Sequence, residues 1–190
     1  MTKEAGLPGI CFIAMKWPET AVDAQAVETL KADGFSMTSI YHYMGTGDRT
    51  PANPARYDFS LVAESSPEFW NRNHKAGVLP FLPNLSTGWN DFPWHFYGGT
   101  AVENRTPELF REICRDARRF ADRTGIRRLV LAPLNEWGEG SYAEPNREYK
   151  FKMYEAVRDA FATPPSGGWP LNYGPEAVGL GPYPLDPAAP

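Results

Sequence analysis

The chain alternates short apolar runs with longer stretches in which apolar positions recur every three or four residues. A short continuous apolar run suits a buried strand, and the three-to-four spacing suits one face of a helix. The first run, Ile10-Cys11-Phe12-Ile13-Ala14, precedes a helical pattern over 22–32 whose shared face holds Val22, Ala26, Val27 and Leu30. Gly34 stands where a helix-ending glycine belongs. The second run covers 36–43. Ser66-Pro67-Glu68 reads as a helix start, with a capping hydroxyl, a first-turn proline and an acid at the positive dipole end, and Gly77 as its close. The third run is Val78-Leu79-Pro80-Phe81-Leu82-Pro83, whose prolines predict an irregular strand. Thr106-Pro107-Glu108 opens another helix with a stripe of Leu109, Phe110, Ile113, Ala117, Phe120 and Ala121, closed by Gly125. The fourth run covers 128–134, and a last helical pattern covers 147–161 with Met153, Ala156, Val157 and Ala160 facing inward.

Four β-then-α units in succession predict parallel strands joined by crossover helices. The segments after two of the strands are long, 45–65 and 85–105. Long loops at one end of a β/α scaffold build sites. Residues 1–162 are expected to form one partial β/α domain, and the Pro/Gly-rich 163–190 a strap or tail.

Composition narrows the function classes. The 190 residues are enough for a sizeable core, and 42% hydrophobic with 22% charged residues is the balance of a globular chain. A net charge of −4 leaves no basic surplus for a phosphate backbone, so nucleic acid is not an expected partner. No apolar run approaches the ~20 residues of a membrane span. The first residues lack a signal-peptide pattern. The compartment stays open: cytoplasmic by default, secreted or periplasmic if an N-terminal half is missing. Cys11 and Cys114 lie in apolar contexts and read as buried free thiols. His42, His74 and His95 are too scattered for a zinc motif, so neither metal nor cofactor is expected. The chain has no dinucleotide fingerprint, phosphate loop or nucleophile elbow.

The stretch with the most chemistry is Asn135-Glu136-Trp137-Gly138-Glu139-Gly140, directly after the buried-strand run at 129–132. Catalytic groups of β/α folds stand at the C-terminal ends of strands. Glycosidic cleavage needs one carboxyl group to protonate the leaving oxygen and a second as base or nucleophile, and a turn at Gly138 would aim Glu136 and Glu139 into one pocket. The bland alternative is a pair of solvated loop glutamates. Ser86 to His95 follows the third run with Trp89, Asn90, Asp91 and Trp94, a mixture of stacking faces and hydroxyl-binding groups suited to sugars, or an aromatic loop packed on itself. Tyr41 and His42 end the second run, and a lone histidine there is more often structural than catalytic. Tyr142 and Glu144 follow the glutamate pair; Glu144 would bind a sugar hydroxyl or cap the last helix. Lys16-Trp17-Pro18-Glu19 is site-like in position only.

The run from Leu131 to Pro145, with Asn-Glu-Trp-Gly-Glu-Gly and then Glu-Pro, resembles the signature of WbsX-like proteins, relatives of glycoside hydrolase family 99. The Gly-Trp-Asn-Asp loop at 88–91 and the helix opened by Thr-Pro-Glu-Leu-Phe are similar to the preceding part of that family. The resemblance implies a (β/α)8 barrel of TIM type. It implies retaining endo-α-mannosidase chemistry through a 1,2-anhydro sugar, with Glu136 as base toward the 2-hydroxyl and Glu139 as acid/base. Asn135, Trp137, Tyr142, Glu144, Trp89, Asn90, Asp91, Tyr41 and His42 would bind the substrate, an oligo- or polysaccharide that would contain mannose. WbsX-like relatives are linked to polysaccharide assembly, so a non-catalytic glycan-binding protein and an inactive remnant are the alternatives. The family's barrel has eight units and this chain shows four, so the expectation is the C-terminal half of a barrel. Its two open strand edges would be completed by a missing N-terminal half or by self-association.

Overall fold

The computed structural model describes residues 13–15, 24–43, 56–94 and 99–179. In chain order the first elements are β1 (Ile13–Met15), α1 (Ala24–Ala32), β2 (Met37–Ser39), β3 (Arg56–Asp58), α2 (Phe59–Ala76) and β4 (Asn84–Ser86). They are followed by β5 (Trp89–Asn90), β6 (Ala101–Glu103), α3 (Pro107–Thr124), β7 (Val130–Ala132), β8 (Asn135–Glu136), β9 (Ser141–Tyr142) and α4 (Lys152–Phe161).

The parallel ladder follows the order of the sequence. β1 pairs with β2, and β4 pairs with β7, both in parallel. Thr38 of β2 bridges in parallel to Phe81: Pro80 O accepts from Thr38 N–H at 2.9 Å and Thr38 O from Leu82 N–H at 2.8 Å. The stretch 81–86 is therefore the third strand, irregular as its prolines predict. Pro80 and Pro83 survive there because the ladder asks them only for carbonyls; Pro83 O accepts from Val130 N–H at 3.0 Å. The fold is mixed α/β with consecutive parallel strands, and a closed barrel is not among the described pairings.

Two expectations need correction. α2 begins at Phe59, not at Ser66. Asp58 caps it, its carboxylate accepting from Ser60 N–H at 2.8 Å. Pro67 lies inside the helix, and the Ser66 hydroxyl turns back to Val62 O at 2.6 Å instead of capping. Phe59, Val62, Ala63, Ser66, Phe69, Trp70 and Asn73 are all buried, a stripe at helical spacing that the Ser-Ser-Pro cluster disguises. Second, the described parts of the stretches read as long loops fold on each other: β3 pairs in parallel with β6, and β5 pairs antiparallel with β6. Strands of two and three residues are too short to show alternation. An Arg56–Glu103 ion pair and a 2.6 Å bond from Asn104 to Asp58 tie the outer edge.

α3 follows its prediction: the Thr106 hydroxyl accepts from Leu109 N–H at 3.2 Å, and Gly125 ends the helix at φ 76°. Its stripe meets α2 and the ladder, with Trp70 and Phe120 in edge contact at 6.0 Å between ring centres. Cys114 is a buried free thiol, pushed up to about 12 by burial and so inert; Cys11 lies outside the described residues. After α4 the chain folds back on it, with Arg158 over the Trp169 ring at 4.8 Å and Asn172 donating to Glu155 at 2.7 Å. No described helix is long and apolar enough to cross a membrane.

Candidate functional site

β7 ends at Ala132 and the chain then reverses in a tight hairpin. β8 and β9 pair antiparallel, Asn135 opposite Tyr142 and Glu136 opposite Ser141, around a 3-10 turn over Trp137–Glu139. Gly140 completes the turn at φ 58°, and a Cβ there would stand 2.9 Å from Asn90 Cβ. Only glycine meets both demands. The turn puts Glu136 at the end of β8 and Glu139 one short turn later. Both charges reach the Tyr41 ring at the end of β2. Burial first, then Glu139, then Glu136 hold the Tyr41 phenol above its ordinary range.

Aromatic groups frame the pair. Trp137 stacks on Tyr142 with ring centres 4.1 Å apart and planes at 22°. The Arg105 guanidinium carbon lies 4.2 Å from the Tyr142 centroid and 5.2 Å from that of Tyr149. Two bodies so close to one ring cannot share a face, so Tyr142 is sandwiched and offers no face to a ligand. Trp137 is 49% exposed; its Nε1–H donates to Glu144 Oε2 at 3.0 Å. Glu144 therefore orients an indole and does not cap α4, whose N-terminal Phe151 makes no side-chain cap bond. Trp94, 67% exposed, donates from Nε1 to Gly138 O at 2.5 Å on the turn itself.

The remaining residues singled out in the sequence sit lower or beside. Asn90 accepts from Phe92 N–H at 3.2 Å and Asp91 from Thr100 N–H, so both shape their loop. Trp89 and His42 are buried, their rings edge to face at 4.6 Å. Asn135 is exposed at the start of β8. Lys16, Trp17, Pro18, Glu19 and His95 lie outside the described residues.

Three residues that the sequence reading passed over hold the hairpin in place. Arg105 Nη1 donates to Thr87 O at 2.6 Å and to Gly140 O at 2.9 Å. Ser141 donates to Gly88 O, and Thr87 to Pro133 O at 3.0 Å. One signal for Arg105 was available: it precedes the Thr106 cap, where a helix dipole disfavours a cation, so its partners had to lie elsewhere.

A cleft of about 280 Å³ opens beside the hairpin, lined by Asn90, Asn104, Arg105, Tyr142, Glu148 and Tyr149 among others. A larger one, about 680 Å³, lies at the opposite, N-terminal ends of the strands between His74, Pro80, Ile126 and Arg128. Among the described residues no carboxylate lines the larger cleft, and the carboxylate lining the smaller one is that of Glu148, not of Glu136 or Glu139. A family model described as "Glycosyltransferase WbsX" matches residues 2–157. No curated protein and no solved structure matches the chain.

Proposed function

The chain belongs to the WbsX family, a carbohydrate-related one by its glycosyltransferase description, and we propose that it works on glycosidic bonds with Glu136 and Glu139 as its acid/base pair. The observation that carries the reading is the hairpin that follows parallel strand β7, which sets Glu136 on β8 and Glu139 on the turn three residues later. The exposed indoles of Trp137 and Trp94 supply flat apolar surface for sugar rings on that same turn.

In this proposal Glu136 takes the proton of the sugar 2-hydroxyl, whose oxygen closes on the anomeric carbon. Glu139 protonates the departing glycosidic oxygen as that bond breaks. In the second half Glu139 takes a proton from the incoming acceptor, the acceptor oxygen opens the 1,2-anhydro ring at the anomeric carbon, and Glu136 returns its proton to the 2-oxygen. Retention of configuration follows from two inversions. With water as acceptor the outcome is hydrolysis; with a sugar hydroxyl it is transfer, the act the family's description names. The substrate class is a mannose-containing oligo- or polysaccharide. The consecutive strand order fits part of a (β/α)8 barrel over residues 1–162, with the strap beyond it. Further β/α units, in a second copy or another segment, would pair at β1 and β7; mass in solution tests the first.

Glu136→Gln and Glu139→Gln should each lower turnover of an aryl α-mannoside about 10²–10⁴-fold while glycan binding, read by calorimetry, stays near the parent value. Binding without turnover in the parent protein would instead support a non-catalytic glycan-binding role.

A further inference from the structure

Beneath the two glutamates lies a hydrogen-bond chain that the acid/base chemistry does not use. His42 follows β2 and is 2% exposed, packed edge-on against the rings of Tyr41 at 4.5 Å and Trp89 at 4.6 Å. Its Nε2 lies 3.3 Å from Ser141 Oγ. Ser141 is the β9 residue directly opposite Glu136.

The protons on this chain can be assigned. Ser141 has one hydroxyl proton, and it goes to Gly88 O. Thr87, 3.3 Å away, turns its own proton to Pro133 O at 3.0 Å. Ser141 Oγ is left as an acceptor toward the imidazole, so Nε2 carries the hydrogen. Nδ1 is buried with no partner among the described residues, which fits a bare lone pair better than an orphaned N–H.

The hairpin needs such an anchor. β8 and β9 are two residues each, far too short to be stable by their own pairing. Arg105 and Gly88 hold it from the side of the third strand. His42 holds it from β2, the strand whose end also carries Tyr41. We infer that His42 is a positioning residue: as the neutral, Nε2-protonated tautomer it donates to Ser141 and locks the glutamate hairpin to the end of β2. The effect on turnover rests on the acid/base reading; the lock itself does not.

The test has two parts. In the wild-type protein, the 15N shifts of the His42 imidazole should report an Nε2–H, neutral ring at pH 7; an Nδ1–H tautomer or an imidazolium overturns the inference. His42→Leu should then speed amide exchange at 136–142 about tenfold, with α3 amides unchanged, while His42→Gln, which keeps an N–H donor, stays close to wild type. Ser141→Ala removes the acceptor and also the bond to Gly88 O, so it should loosen the same amides at least as much, even if the Leu variant does not fold. Unchanged hairpin exchange in Ser141→Ala sinks the lock. On a glycan substrate His42→Leu should lower kcat with KM nearly constant, and His42→Gln should restore it. Loosened exchange in a protein that turns over no saccharide supports the lock and removes the acid/base reading. Intact exchange with Glu136→Gln and Glu139→Gln inactive does the reverse.

Discussion

Gly140 and Gly125 share a backbone conformation and differ in their surroundings. Both have positive φ, 58° and 76°, but a Cβ at Gly125 meets nothing within 4 Å whereas one at Gly140 meets Asn90 Cβ at 2.9 Å. Gly125→Ala should cost about 1 kcal/mol of backbone strain, and Gly140→Ala about 2–3 kcal/mol because the Asn90 loop must also move. Urea midpoints of the two variants give the comparison. His42 sets a second expectation. Burial pushes its imidazole down to about 4 from 6.5. Above pH 6.5 folded and unfolded chains are both neutral here. Between 6.5 and about 4 the unfolded chain binds a proton that the folded one does not, so stability falls as pH drops, by about 3 kcal/mol in all. A urea midpoint that does not fall over this window, or that falls equally in His42→Gln, would refute the assignment. At this scale the sequence shows the glutamates and Trp137 because they adjoin in one short run. It hides Arg105 and Ser141, whose partners are backbone carbonyls contributed by residues distant in the chain.

The elements divide by how local their causes are. α3 is legible because everything that makes it lies within it: the Thr106 cap, Pro107, a seven-residue buried face and Gly125. Thr106→Ala should cost about 1 kcal/mol, measured by thermal unfolding, through one unpaired helix N–H. α2 is partly hidden, since Pro67 and two serines imitate a start that Asp58 and Phe59 make earlier. Hydrogen bonds from Ser60 and Asn104 hold the Asp58 carboxyl below its usual range. That contribution is present above the ordinary carboxylate pKa and is lost as pH falls through the lower folded value. Acid should therefore fray α2 at Ser60 before it touches α3, which residue-resolved amide exchange would show. The β3-β6-β5 sheet was not legible at all, because its pairing joins segments that only the finished fold brings together.

For the whole molecule, the alternation of apolar runs with helical stripes predicts the consecutive parallel order, and the ladder from β1 to β7 has it. The candidate site's location follows from that order: Tyr41, Trp89 and Glu136 follow the same ends of neighbouring strands. Trp70 is where ladder and helices are bound together, fully buried, in contact with Phe120 and 3.4 Å from Asn84 Oδ1. Trp70→Ala should cost about 3–5 kcal/mol and lower the denaturant midpoint without changing the slope. A variant that instead lost only the hairpin's order would show that the core and the site unfold separately.

The sandwich at Tyr142 also gives the site an optical signature. Trp70 and Trp89 are enclosed, while Trp94 and Trp137 are exposed at the glutamate turn, the latter with one face against Tyr142. Among the described tryptophans a dissolved quencher such as iodide reaches these two most readily, the half-buried Trp169 under Arg158 less, and the enclosed pair not at all. A saccharide laid across the turn would shield them, so a fall in iodide quenching that disappears in Trp94→Phe and Trp137→Phe would report occupancy without label or substrate turnover.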